Sequence, residues 1–200
     1  MADQIISLYE RHAHFWHTLR NERCSLFERP WLDRFLALTP PASTILDLGC
    51  GTAEPIAGYL ISQGRAVTGI DSSPTLISLC QSRFPQHEWL VSDMRSLHLD
   101  PTFSGILAWD SLFHLSPEDQ RRMFPIFRAH AAPGTALMFT SGTRAGEVYA
   151  EFCGEPLYHS SLDSEEYRSL LHANDFEVVA HVSEDPACGE HTIWLAQSSQ

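Results

Sequence analysis

TILDLGCGTAEP, Thr44 to Pro55, is the stretch on which the reading of this chain turns. Ile45, Leu46 and Leu48 make a short apolar strand, Gly49-Cys50-Gly51 a tight turn, and a helix pattern opens at Glu54-Pro55. Asp71 follows Gly51 by twenty residues, at the tip of the next apolar run. A strand, a glycine turn and a helix, followed by an acid at the next strand tip, is the pattern of a nucleotide-binding βα unit whose acid suits a ribose diol.

The turn narrows the nucleotide. A dinucleotide fingerprint wants a third small residue three positions after the second glycine, and Glu54 stands there. A carboxylate at a helix N-terminus competes with the pyrophosphate that would otherwise sit there. Asp47 adds a second acid just upstream. Two acids beside the glycines disfavour NAD and FAD and suit a cationic ligand without phosphates. S-adenosylmethionine is such a ligand, with its adenosine, its sulfonium and its amino acid end.

Four segments, ILDLGCGTAEP, VTGIDSSPTLISLC, WLVSDMRSL and GILAWDSLFHLSPEDQ, run in order from Ile45 to Gln120. With them the chain resembles the class I S-adenosylmethionine-dependent methyltransferases of small-molecule type. PGTALMFT, NDFEVVA and HTIWLA fit that family's last three strands. The first motif reads G-x-G-x-A, where many members have a third glycine; Ala53 is small enough to serve.

The resemblance implies an α/β fold: a Rossmann-like, mostly parallel seven-stranded sheet with an antiparallel last strand, helices on both faces and an N-terminal helical cap. It implies that Gly49 and Gly51 pack against the methionine part of S-adenosylmethionine. Asp71 would bind the ribose hydroxyls with Ser72 beside it, and Asp93 and Met94 would flank the adenine. Trp109, Asp110 and Ser111 would border the sulfonium and amino acid end, with Asp47 beneath the glycine turn. The family often closes this site with an aromatic on an N-terminal helix; Tyr9 and Trp16, seven residues apart and on one helical face, are the candidates.

Two hundred residues fit one domain with a full core. The reading is a single unit over 1–200, with a helical cap at 1–40 and the Rossmann-like core at 41–200. With 44% apolar residues, no segment approaches the ~20 apolar residues of a membrane span. MADQIISLYERH lacks the basic start and apolar middle of a signal peptide, so a cytoplasmic location is expected. A formal charge of −12 without a Lys/Arg cluster disfavours a nucleic-acid partner. The Asp/Asn-Pro-Pro-Tyr signature of amino-methylating nucleic-acid enzymes is absent where WDSL stands. Five scattered cysteines read as reduced thiols.

Strands are expected at 44–48, 66–70, 88–92, 104–109, 135–141, 176–184 and 191–196. Helices are expected at 3–20, 30–38, 54–63, 74–83, 117–131 and 163–173, with Pro74, Pro117 and Asp163 at helix starts. Strand–helix alternation predicts a parallel sheet covered on both faces. Residues 142–162 exceed the usual 2–6-residue connection of α/β units and are read as a substrate lid.

His114, just after the fourth strand, is the candidate general base for an acceptor that must lose a proton. Tyr158 and His159 in the lid and His191 at the last strand are candidates for an acceptor pocket. His12, His14 and His17 lack a completing Cys or carboxylate nearby, and no metal is expected. The predicted activity is in-line transfer of a methyl group to O, N or S of a small-molecule acceptor, leaving S-adenosylhomocysteine. The chain would act as a monomer or homodimer. The alternatives are a non-catalytic cofactor-binding sensor or partner subunit, and aminopropyl transfer on the same fold.

Overall fold

The computed structural model describes residues 2–22 and 26–199; Cys24, one of the cysteines read as reduced, lies outside them. The chain runs through α1 (Ala2–Arg11), α2 (Ala13–Glu22) and α3 (Arg29–Ala37) into β1 (Thr44–Leu48), α4 (Ile56–Ser62), β2 (Ala66–Asp71), α5 (Pro74–Arg83) and β3 (Glu88–Val91). It continues through β4 (Phe103–Ala108), α6 (Pro117–His130), β5 (Ala131–Ser141), β6 (Gly146–Phe152), β7 (Glu155–Ser161), α7 (Ser164–Ala173), β8 (Phe176–Asp185) and β9 (His191–Ser198).

Seven strands form one sheet in the order β3-β2-β1-β4-β5-β9-β8. β1 to β5 pair in parallel, and β9 runs antiparallel to both β5 and β8. This is the expected Rossmann-like sheet with an antiparallel last strand. Side chains of the central strands alternate between two buried layers, as a strand's two-residue period requires. Leu46, Ile106, Ala108, Leu137, Phe139 and Trp194 face α6 and α7. Ile45, Leu107, Met138 and Leu195 face α3 and α4. Helix starts follow local chemistry. The Ser73, Ser116 and Asp163 side chains accept from the Leu76, Asp119 and Glu165 amides, and Pro74 and Pro117 open their helices.

Two expectations change. The helix over 3–20 divides at His12, although the Trp16 amide still bonds the His12 carbonyl at 2.9 Å, so the axis bends rather than ends. The connection at 142–162 is not an irregular loop: β6 and β7 pair from Gly146↔Ser161 to Phe152↔Glu155 as a separate hairpin. Its two turn residues, Cys153 (φ 53) and Gly154 (φ 78), both take the left-handed conformation that a tight hairpin turn demands.

Candidate active site

The carboxyl ends of β1, β2, β3 and β4 open into two adjoining clefts, about 780 Å³ and 450 Å³ of non-atom space. The larger is lined by Gly49, Gly51, Asp71, Ser72, Asp93, Met94, Asp110 and Ser111 from the strand tips. Ile5, Ile6, Tyr9 and Trp16 roof it from the N-terminal helices, and His114 and Leu115 form one wall. The smaller is lined by Asp47, Thr52, Glu54, Trp109 and Arg20. Trp16, Gly49, Gly51 and Asp110 belong to both.

The glycine turn fits under other groups only because it lacks side chains. Gly49 holds φ +77, and a Cβ there would stand 2.4 Å from the Ser111 Cβ. Ser111 is buried and donates from Oγ to the Leu48 carbonyl at 2.7 Å, which closes the turn against β4. Asp71 braces the other side: its carboxylate accepts from the Gly51 amide at 3.0 Å and the Ser73 amide at 2.9 Å.

Burial pushes the Asp47 carboxyl up to about 7, and the neighbouring charge of Asp71 adds to that. Burial likewise pushes Asp71 up to about 6, against the amide bonds that favour its anion. Two unsatisfied buried groups border the smaller cleft: Thr52 Oγ1 and the Trp109 indole N–H have no partner among the described residues. Arg20 reaches this cleft while pairing at 3.0 Å with the fully buried Glu28. Buried acids raised toward neutrality, with Arg20 and two orphan donors lining the same clefts, form a site that fits a ligand carrying both a cation and a carboxylate.

Asp93 lines the larger cleft, but Arg95 forks onto both of its oxygens, with contacts of 2.6 to 3.0 Å. Burial raises its carboxyl, and these bonds outweigh that to hold it below the usual range. Tyr9 and Trp16 meet edge to face at 5.5 Å, despite the bend between them.

The expected base is otherwise engaged. His114 is buried, its Nδ1 is 3.0 Å from the Tyr158 carbonyl and its Nε2 is 3.1 Å from the Tyr9 hydroxyl. A carbonyl only accepts, so Nδ1 carries the proton and Nε2 takes the hydrogen bond from Tyr9. Burial drives the imidazole down to about 4.

The three acceptor-pocket candidates line neither cleft. The Tyr158 ring packs into a satellite cluster with Ile5 and Leu8, and only its carbonyl turns to the site. His159 lies tilted beside His114, ring centroids 4.9 Å apart. His191 opens β9, which lies between β5 and β8 rather than at an edge, and its Nε2 stands 2.9 Å from Asp110 Oδ1.

Glu10 was missed from sequence. From α1 it accepts from the Ser73 hydroxyl, the Thr75 hydroxyl at 2.6 Å and the Thr75 amide at 3.2 Å, tying the roof to the start of α5. The unused signal was Ser73-Pro74-Thr75, a helix start rich in donors that an acid across the cleft can answer.

A family model described as a methyltransferase domain matches residues 45–134. Over that stretch the chain resembles the class I S-adenosylmethionine-dependent methyltransferases. It is 27% identical over 147 residues to the O-methyltransferase rstn1 of Aspergillus nomiae, which covers 68% of this chain and 64% of that protein. It is 30% identical over 97 residues to the trans-aconitate 2-methyltransferase of Azoarcus sp., 48% of this chain and 38% of that protein. The matches thus span less than two thirds of either relative. Among solved structures, the 1,6-didemethyltoxoflavin-N1-methyltransferase of Burkholderia thailandensis superposes with a TM-score of 0.75 at 19% identity, covering 98% of this chain and 87% of that one. CalS10, an amino pentose methyltransferase of Micromonospora echinaspora, superposes with 0.72 at 18% identity, covering 92% and 97%. These likenesses establish the methyltransferase fold; no helix among the described residues is long and apolar enough to cross a membrane.

Proposed function

We propose that the protein transfers a methyl group from S-adenosylmethionine to O, N or S of a small-molecule acceptor, leaving S-adenosylhomocysteine. The observation that carries this reading is the pair of buried acids, Asp47 and Asp71, flanking a glycine turn that two adjoining clefts share. Relatives that act on an oxygen acceptor, and fold neighbours that act on nitrogen, support it.

In this reading Asp71 accepts from the ribose hydroxyls beside Ser72. Met94 and the Arg95-bound Asp93 flank the adenine, and Gly49 and Gly51 admit the methionine chain. Arg20, Thr52 and the Trp109 N–H hold the carboxylate end; Asp47, Asp110 and Ser111 border the cationic end. Tyr9 and Trp16 close the roof, and the β6–β7 hairpin serves as the acceptor lid. When bound, the sulfonium supplies a methyl carbon already activated for displacement.

The protein's part is alignment and exclusion of water. Phe152 at the hairpin tip lies 5.6 to 6.0 Å from the rings of Tyr9, His12, Phe15 and Trp16, which shields the roof side. His114 holds the Tyr9 hydroxyl and does not serve as the base, because its acceptor nitrogen is engaged and burial opposes its protonation. Acceptors that present an unprotonated nucleophile, a carboxylate or a thiolate, are therefore the favoured class. Incubating the protein with S-adenosylmethionine and separate panels of carboxylic acids, thiols, amines and phenols, and following S-adenosylhomocysteine by mass spectrometry, tests this. Product with the acids or thiols is expected. Cofactor binding without product on any panel would favour the non-catalytic sensor instead.

A further inference from the structure

His191 is set apart from the other histidines by what its ring touches. Its Nδ1 lies 2.8 Å from the Cys188 carbonyl and 3.1 Å from that of Gly189. Its Nε2 lies 2.9 Å from Asp110 Oδ1. Carbonyl and carboxylate oxygens only accept, so the geometry is satisfied only when both ring nitrogens carry protons. The ring also stacks on Trp109 at 5.4 Å and lies tilted against Phe27 at 5.5 Å, a setting that suits a flat cation. Asp110, in turn, borders both clefts and holds a left-handed φ of 50° that costs a residue with a side chain. Its amide is fixed by the Thr140 hydroxyl at 2.9 Å, and its carboxylate by His191.

We infer that His191 is a positioning residue: held as an imidazolium, it fixes Asp110 where the two clefts meet and sets how strongly the site prefers a charged sulfonium over the neutral thioether product. This rests on the cofactor reading above. The two ligands differ by one positive charge at sulfur. While His191 is protonated, the charge of Asp110 is compensated and the preference for the cation is small. Once His191 loses its proton, Asp110 stands uncompensated and the preference rises. Comparing the two ligands removes any contribution from general loosening of the site, which affects both alike.

The surrounding groups leave His191 the titrating neighbour of Asp110. Burial lowers His191, but the hydrogen bond and charge of Asp110, the Cys188 carbonyl and the charge of Glu28 outweigh that and raise it above its ordinary value. Glu28, at the start of α3, is paired with Arg20. The Cys188 thiol is pushed up to about 12 by burial and stays neutral, and Asp185 at the end of β8 takes the Trp31 indole N–H at 2.7 Å. On the far side of Asp110, burial keeps Tyr9 protonated and His114 and His159 neutral. Asp47 and Asp71, raised to about 7 and about 6, also titrate near neutrality, so the wild-type binding profile alone does not isolate His191.

The test therefore compares proteins and ligands. The ratio of Kd for S-adenosylhomocysteine to Kd for S-adenosylmethionine is measured by calorimetry from pH 6 to pH 9 for wild type and His191→Gln. At pH 6 the variant should show a ratio about fivefold higher than wild type, converging at pH 9. Parallel profiles would overturn the proposal.

A wild-type measurement covers the case in which the variant does not fold. Nitrogen-15 spectra of the histidine rings should show both His191 nitrogens protonated in the free protein at pH 6. The titration midpoint should lie about half a pH unit or more lower with S-adenosylmethionine bound than with S-adenosylhomocysteine, by reciprocity of linkage. A singly protonated ring in the free protein, or equal midpoints, would overturn the inference. Absence of binding by either ligand would instead sink the cofactor reading, while the free-protein spectrum still decides the state of His191.

Discussion

The floor of the site and its roof are held by different forces. The floor is made of β-strand tips: Gly49 pressed on Ser111, Asp71 bonded to two backbone amides, Asp110 fastened to Thr140. These anchors are buried contacts or hydrogen bonds that involve the main chain, with the His191–Asp110 bond added between side chains. The roof is made of two short helices and a hairpin whose residues Val148 and Tyr149 are more than half exposed. Glu10 ties α1 to Ser73 and Thr75, while the hairpin tip is linked by ring contacts around Phe152 and by the exposed carboxylate of Glu155, which meets Arg11 at 2.5 Å and His12 at 2.8 Å. A rigid floor and a lightly fastened roof are what a site needs if one ligand is gripped in a fixed pose and another must enter over it.

Substitutions separate the two. Gly49→Ala should have the largest effect, since the new Cβ meets buried Ser111 in a left-handed backbone. A loss of about 2–4 kcal/mol in stability and of about 100-fold or more in S-adenosylmethionine affinity is expected. Chemical denaturation and calorimetry read both, and a near-neutral result would mean the floor is not rigid. Asp71→Ala, which strips the Gly51 and Ser73 amides of their acceptor, should cost about 30-fold in affinity.

Asp47 tests the electrostatics of the floor. Its folded value is raised to about 7 from an unfolded value near 3.9, so it binds a proton more tightly when folded and makes stability fall as pH rises from about 4 through 7. Asp47→Asn should therefore stabilise the ligand-free protein by about 1–3 kcal/mol at pH 8 and have little effect at pH 4. Urea denaturation at both pH values checks the sign; a variant equally shifted at both would show that the charge is not the cause.

Roof substitutions should be milder. Tyr9→Phe removes the bond to His114 and keeps the ring, so KM for the cofactor should rise about threefold to tenfold with kcat little changed. A collapse of kcat would return a chemical role to this pair. Glu155→Gln should leave the melting temperature where it is and show only as about twofold faster hydrogen exchange over 146–161. If it destabilised the protein as much as a floor substitution, the distinction between floor and roof would fail.

The floor was legible in sequence because its chemistry is local. The glycines, the acids at strand tips and the proline-led helix starts are each set by neighbours a few residues away, and the parallel pairing of the sheet follows from strand–helix alternation. The roof was legible only as a long insertion. Its hairpin signal was weak, because the flanking GEVYAEF and EPLYHSS do not alternate apolar and polar residues and cysteine seldom occupies a left-handed turn position. The partners of His114, His191 and Glu10 were not legible at all. His114 and His191 pair across 105 and 81 residues, and nothing in a strand or helix period specifies which side chain a buried imidazole will meet.

The foot of the hairpin is knotted into the core in a way its tip is not. Gln120 in α6 donates to the Leu115 carbonyl and to the carbonyl and hydroxyl of Ser160, while the Tyr167 hydroxyl donates to the Gln120 oxygen, all in the interior. The foot therefore folds with the sheet as one cooperative unit, whereas residues 148–157 are cantilevered from it. That makes the tip an exchangeable module: its sequence can be changed while the scaffold that carries it keeps its stability.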